Sequence, residues 1–272
     1  MKKIFSFLII IILGNLTFLK ATPPKWKLPS KSYQEIKNKI QTEKKKLDKG
    51  GTPSFAYENK YEVGAFGGII LYAPFKDVWE KALHDWPGLA KHMPSLKYYK
   101  VIHKEKTKGK KYQEEYLIEG IFTAAFLSFL YTIRVRFYKE SNKKGRLEWN
   151  SLSDEEVEAY NKKGIKVKKT TSTIDIAYGQ AYLEQISDSP PRTVYYYNPV
   201  VKNTVPLPVF IQKKIGKIAV EEFLAAIQQR VVCDCFEEKE KLKDTSKVNC
   251  DWQRINANYK EFKSKCDEAA KK

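Results

Sequence analysis

Hydrophobic positions change their period twice along the chain, and the changes lay out its elements. After Ser32, the residues Tyr33, Ile36, Ile40 and Leu47 recur at helical spacing in a lysine-rich stretch that stops at Gly50 and Gly51. An N-capped amphipathic helix is predicted there. Tyr61 to Tyr72 reads as a strand with Gly64, Gly67 and Gly68 inside it and Pro74 beyond its end; glycines within a strand mark bends or close backbone approach. Val78, Trp79, Ala82 and Leu83 then share a helical face, and Pro87 opens a short second helix ended by Pro94.

From Tyr98 onward the period becomes two. Strands are predicted at Tyr98 to His103, Tyr112 to Phe122, Tyr131 to Tyr138, Arg146 to Ser151, Lys168 to Ile176, Ala181 to Ile186 and Thr193 to Asn198. Turn signals such as Lys108-Gly109, Asn142 to Gly145 and Ser187 to Pro191 separate them. Tyr131, Ile133, Val135 and Phe137 fall on one face, Thr132, Arg134 and Arg136 on the other, so one side of an antiparallel sheet is expected to be buried and the other to meet water. Pro206 and Pro208 open a long helix with Ile211, Ile215, Ile218, Ala219, Phe223, Ala226 and Ile227 on one stripe. In the charged tail, Trp252, Ile255, Tyr259, Phe262 and Cys266 form another helical stripe.

Composition adds a compartment and a charge. Met1 to Ala21 has a basic start, an apolar run from Ile4 to Leu13 and Ala21 just before Pro23, the pattern of a secretory signal peptide. Leu19 stands where a small residue is preferred, and an uncleaved segment would be an N-terminal anchor. The expected setting is therefore periplasmic or secreted. A net charge of +18 favours transient contact with anionic membrane surfaces or acidic polymers; no RNA-binding signature is present, and nucleic acid is not an expected partner. All four cysteines, Cys233, Cys235, Cys250 and Cys266, lie near the end, which suggests two disulfides. Cys233 and Cys235 are each expected to bridge to one of Cys250 and Cys266, because bridging across a single residue is strained. With no CxxC pair and no nearby histidine, zinc is the weaker reading. The layout is thus a signal at 1–21, a helical extension at 22–52, one main domain at 53–232 and a cysteine-clipped helical tail at 233–272.

Three stretches carry a resemblance to a known family: PFKDVWEKALHDWPGLAKHMP at Pro74 to Pro94, YGQAYLEQISDSPPRTVYYY at Tyr178 to Tyr197, and VPLPVFIQKKIGKIAVEEFLAAIQQRVV at Val205 to Val232. Over roughly residues 60 to 232 the chain resembles the START-like helix-grip superfamily, the polyketide cyclase and lipid transport group. The resemblance implies an α+β fold in which a curved antiparallel sheet of about seven strands wraps a long C-terminal helix. It also implies an apolar cavity between sheet and helix, used in that group for lipids, sterols, quinones, plant hormones or polyketides.

Candidate wall residues are Phe122, Tyr131, Ile133, Phe137, Leu147, Trp149, Ile174, Ile176, Tyr182 and Tyr196 from the sheet, with Phe210, Ile211, Ile215 and Ile218 from the helix. Simple core packing is the competing role for each. Tyr196, Arg134 and Asp175 are candidate polar selectors. The apolar run Ala124 to Leu130 is either buried strand or a tip that brings Phe126, Leu127, Phe129 and Leu130 to a membrane. Glu119 and Asp175 are the carboxylates in apolar strands, and His84, His92 and His103 are scattered; no nucleophile motif, phosphate loop, metal cluster or cofactor motif is evident. The expectation is a carrier of a lipid-like molecule. A cyclase or hydrolase with an inward Glu119 or His103, and an interaction module with a filled cavity, are the alternatives.

Overall fold

The computed structural model describes residues 26–60, 62–107, 111–124, 127–170, 174–203, 207–242 and 248–272. The signal at 1–21 lies outside the described residues. One eight-stranded antiparallel sheet runs in the order β1-β2-β8-β7-β6-β5-β4-β3. Its strands are β1 Ser54–Glu58, β2 Val63–Leu71, β3 Leu96–Lys106, β4 Glu114–Ala124, β5 Leu127–Lys139, β6 Lys144–Ser151, β7 Ile174–Asp188 and β8 Pro191–Asn203. Helices α1 Tyr33–Gln41 and α2 Lys44–Asp48 precede it; α3 Phe75–Asp77, which continues as a π-helical turn over Val78–Ala82, and α4 Trp86–Ala90 follow β2; α5 Asp154–Lys162 follows β6. The long α6 Val209–Lys241 closes the main body, and α7 Trp252–Ala257 and α8 Tyr259–Ala270 end the chain.

Most elements fall where the hydrophobic periods place them. The predicted first helix is two, because α1 ends at Thr42 and α2 restarts from Glu43. Ser32 caps α1 through a reciprocal box with Glu35, as its sequence anticipates. The strand expected at Lys168 to Ile176 begins only at Ile174 and continues unbroken to Asp188. β1 and α5 are additions; α5 is led by a second capping box, Ser153 with Glu156.

Both faces of the sheet are covered. On the concave face α6 lies along β1, β2 and β8, and small residues set its distance: a Cβ on Gly67 would come within 2.7 Å of Val220, and one on Gly216 within 3.3 Å of the Ala65 Cβ. Between them grows the main core, which includes Ile69, Leu71, Tyr195, Phe223, Leu224 and Ile227. On the convex face of β2, β7 and β8, α1 and the tail build a second core from Ile36, Ile40, Phe66, Ile70, Tyr196, Val232, Phe236 and Ile255. This corrects the expectation that the outer face meets water. The bridges are Cys233–Cys266 and Cys235–Cys250, which tie α8 and the segment before α7 back to α6.

Candidate functional site

Three groups of side chains divide the concave interior. At the end where β4 begins and β5 ends, Trp79 lies over Gly145, stacks with Phe75 and meets Phe137 edge-on, while His84 stacks on Phe137 at 4.6 Å. Phe137 and Leu147 are each 1 % exposed in this packed end and are core residues rather than cavity wall. Burial lowers the His84 pKa, although the Trp79 carbonyl and Glu114 oppose the shift. In the middle, Trp149, Tyr197 and Phe223 form a continuous stack from sheet to helix, with centroids 5.3 and 4.1 Å apart. Trp149 fits because it lies over Gly179, where a Cβ would come within 2.1 Å of its ring.

Three more phenols, Tyr99, Tyr131 and Tyr195, lie beside this stack. Tyr131 on β5 sits beside Gly120 of β4, and the bare glycine leaves room for the Tyr99 ring from β3. The Tyr131 hydroxyl donates to that of Tyr99 at 2.5 Å. Tyr195 and Tyr197 lie one strand repeat apart on the inward face of β8, rings stacked at 6.3 Å. Burial pushes the Tyr99 phenol up to about 12. Burial likewise raises Tyr131, Tyr195 and Tyr197, and the Tyr99 phenol adds to the shift in all three. Trp86 of α4 packs on Tyr99 at 5.5 Å, and its buried indole nitrogen has no hydrogen-bond partner among the described residues.

The opposite end of the interior carries exposed apolar side chains. Beyond Val220 the first turns of α6 turn apolar side chains outward: Phe210 is 71 % exposed, Ile218 52 %, and Ile215 is also exposed. Ile211, Ile215 and Ile218 share a helical face with Glu222, whose carboxylate accepts from the Ser95 backbone N–H at 2.9 Å just before β3. The stripe therefore runs along the side of α6 nearest the α4–β3 junction. Ser95 in turn accepts from the Thr123 N–H, next to the ends of β4 and β5. Phe122 and Phe129, paired across β4 and β5, are half-buried at this end.

The predicted wall residues thus divide. Phe122, Tyr131, Ile133 and Trp149 belong to the concave interior, with Ile133 and Trp149 nearly buried. Ile211, Ile215 and Ile218 lie toward its far end on α6, and Phe210 projects into solvent. Tyr182 and Tyr196 do not belong: they pair with each other on the convex face, where Tyr33 of α1 covers Tyr182 at 4.5 Å and packs edge-on to Tyr196. The reason is the phase of β7 and β8. Ala177, Gly179, Ala181 and Leu183 point inward, leaving space for Trp149 and Tyr197, so their aromatic neighbours point out. Phe126 and the side chains of Leu127, Ile174, Asp175 and Ile176 lie outside the described residues.

Glu119 faces the convex side, accepting from the Tyr98 hydroxyl at 2.5 Å and from Lys168 at 3.2 Å. His103 is also outward, against Tyr160, and Arg134 is paired with Glu156 of α5 on that side. Sequence reasoning missed Tyr99, Tyr195, Tyr197, Trp86 and Phe223 as site residues. The run of three tyrosines at 195 to 197 gives no phase by alternation, but the small residues opposite Tyr197, Gly67 and Ala181, mark its inward side.

No protein-family model matches the sequence, and no curated protein matches it. Solved structures do match the fold. A STAR-related lipid transfer protein fragment from Xanthomonas axonopodis is similar with a TM-score of 0.50 and 13% identity, over 66% of this chain and 93% of that one. Human STARD10 is similar with a TM-score of 0.50 and 10% identity, over 78% and 84%. The chain has a START-like helix-grip fold; at such identities the likeness speaks to architecture, and activity has to be argued from the site.

Proposed function

We propose that this chain binds a hydrophobic, lipid-like small molecule between the concave sheet and the first half of α6, and shields it from water. The observation that carries the reading is the apolar stripe in which Ile215 and Ile218 are exposed and Ile211 is half-buried, beside an aromatic interior. Exposed apolar surface at the mouth of a concave, mostly apolar site is the usual mark of ligand binding. The lipid-transfer name of the similar Xanthomonas protein supports the same class of ligand. The Trp149–Tyr197–Phe223 stack fills the middle of the interior, so the ligand lies on its mouth side.

The outward placement of Glu119 and His103 favours binding over acid–base catalysis, since neither reaches the interior. The two disulfides fit an oxidising, exported setting, and no helix among the described residues is long and apolar enough to cross a membrane. Loading or delivery takes place at an anionic membrane, with Phe210 and Ile218 and, from the β4–β5 end, Phe129 and Leu130 entering the surface beside Lys213, Lys214 and Lys217. The test is mass spectrometry of organic extracts of protein purified without delipidation from its native compartment. A hydrophobic species at near-stoichiometric level supports the proposal, and extracts indistinguishable from a control protein count against it.

A further inference from the structure

The interior phenols hold more hydrogen-bond donors than acceptors positioned to take them. Tyr131 spends its proton on the Tyr99 oxygen, which leaves the Tyr99 proton to donate elsewhere. Among the described residues the hydroxyls of Tyr195 and Tyr197 have no hydrogen-bond partner, although Tyr195 is 1 % exposed. The buried Trp86 indole N–H, a donor only, is also without a partner and lies against Tyr99. Buried polar groups in native proteins are nearly always satisfied, so a cluster of unspent donors in one apolar interior calls for an acceptor from outside the chain.

We propose that this cluster takes the carbonyl oxygen of a neutral hydrophobic ligand, a ketone, ester or quinone bound with its polar end inward. The inference rests on the binding reading above and specifies which ligand class fits it. A carbonyl oxygen has two lone pairs, which two of the three hydroxyls of Tyr99, Tyr195 and Tyr197 can fill, and it brings no charge to desolvate. A carboxylate would need a cation, and the neighbouring inward positions Ile118, Phe122, Phe129, Ile133 and Pro199 supply none. A pure hydrocarbon would leave the donors unspent. Burial that keeps these phenols protonated also keeps them available as donors.

Three probes of similar skeleton test it on the full chain: benzophenone, diphenylmethane and diphenylacetate at pH 8, each competed against a neutral fluorescent dye. The ketone is expected to bind about ten-fold tighter than the hydrocarbon, the effect of one or two net hydrogen bonds, and the carboxylate weakest. The double variant Tyr195→Phe with Tyr197→Phe removes two of the three free hydroxyls, leaves that of Tyr99, and should cut the ten-fold ratio to about two-fold while leaving diphenylmethane affinity unchanged. Tyr195→Phe alone should reduce that ratio, which guards against a double variant that folds poorly. Tyr182→Phe, on the convex face, should leave all three affinities alone. Equal binding of ketone and hydrocarbon, a ratio that survives in both variants, or tightest binding of the carboxylate would overturn the inference while the site itself stands. Binding of none of the three would overturn the site reading and the inference together.

Discussion

Replacing Gly179 by alanine should loosen the interior from the sheet outward. The added Cβ would sit 2.1 Å from Trp149 Cζ2 and 2.4 Å from Cε2, ring carbons with no flexible end to yield. Trp149 is backed by Tyr197, and Tyr197 by Phe223 on α6, so the displacement passes through two stacked rings to the helix. Overpacking of this kind costs about 1 to 3 kcal/mol, and the absence of slack places this site at the upper end. For a chain of this size that is a fall in Tm of roughly 5 to 10 °C. Gly164→Ala is the reference. It has φ +81° and nothing within 4 Å, so it tests backbone strain without a clash and should cost about 1 kcal/mol. Thermal unfolding followed by near-ultraviolet circular dichroism reads both changes. Adding Trp149→Phe to Gly179→Ala should recover part of the loss, because the smaller ring vacates the clash. The reasoning is refuted if Gly179→Ala unfolds no earlier than Gly164→Ala, or if the Trp149→Phe double variant is less stable than additivity predicts.

Two further outcomes concern the convex face. Cys233→Ser with Cys266→Ser opens a loop of sequence separation 33, and the chain-entropy model gives a loss of about 3 to 4 kcal/mol, to be read by denaturant unfolding with and without reductant. Burial opposes ionisation of Glu184, but hydrogen bonds from Lys37, Tyr33 and Lys144 outweigh it and hold the carboxyl down at about 2, against an ordinary 4.5. A carboxyl depressed by folding contributes stability above its unfolded pKa and loses it as pH falls toward the folded value. Hydrogen-exchange protection of α1, corrected for the intrinsic exchange rate at each pH, should therefore fall between pH 5 and about 2, and Glu184→Gln should largely abolish that dependence.

Much of the architecture is legible from the chain, and the parts that are not share physical causes. Period-two runs reveal β4, β5, β6 and β8 because each has one strongly apolar side, and the cysteine spacing leaves two pairings of Cys233 and Cys235 with Cys250 and Cys266, one of which forms. α5 is hidden by its polarity: of DEEVEAYNK only Val157 is buried, and its capping box is the one local sign. The site is less legible because both faces of β7 and β8 are aromatic or apolar. Alternation alone cannot then say whether Tyr196 or its neighbours Tyr195 and Tyr197 face the helix. The answer depends on strands distant in sequence, where Gly67 and Ala181 leave room for Tyr197 and α1 covers Tyr182 and Tyr196.

The central claim, a hydrophobic ligand held inside the concave face, is tested most directly by irradiating the full chain with a photoreactive alkyl diazirine and mapping the adducts by peptide mass spectrometry. The account predicts adducts on Tyr99, Phe122, Tyr131 and the α6 stretch from Phe210 to Phe223, competed away by excess hydrophobic ligand, with Tyr182, Tyr196 and Ile40 unlabelled. Labelling confined to the convex face, or labelling of the interior that excess ligand does not compete, would contradict it.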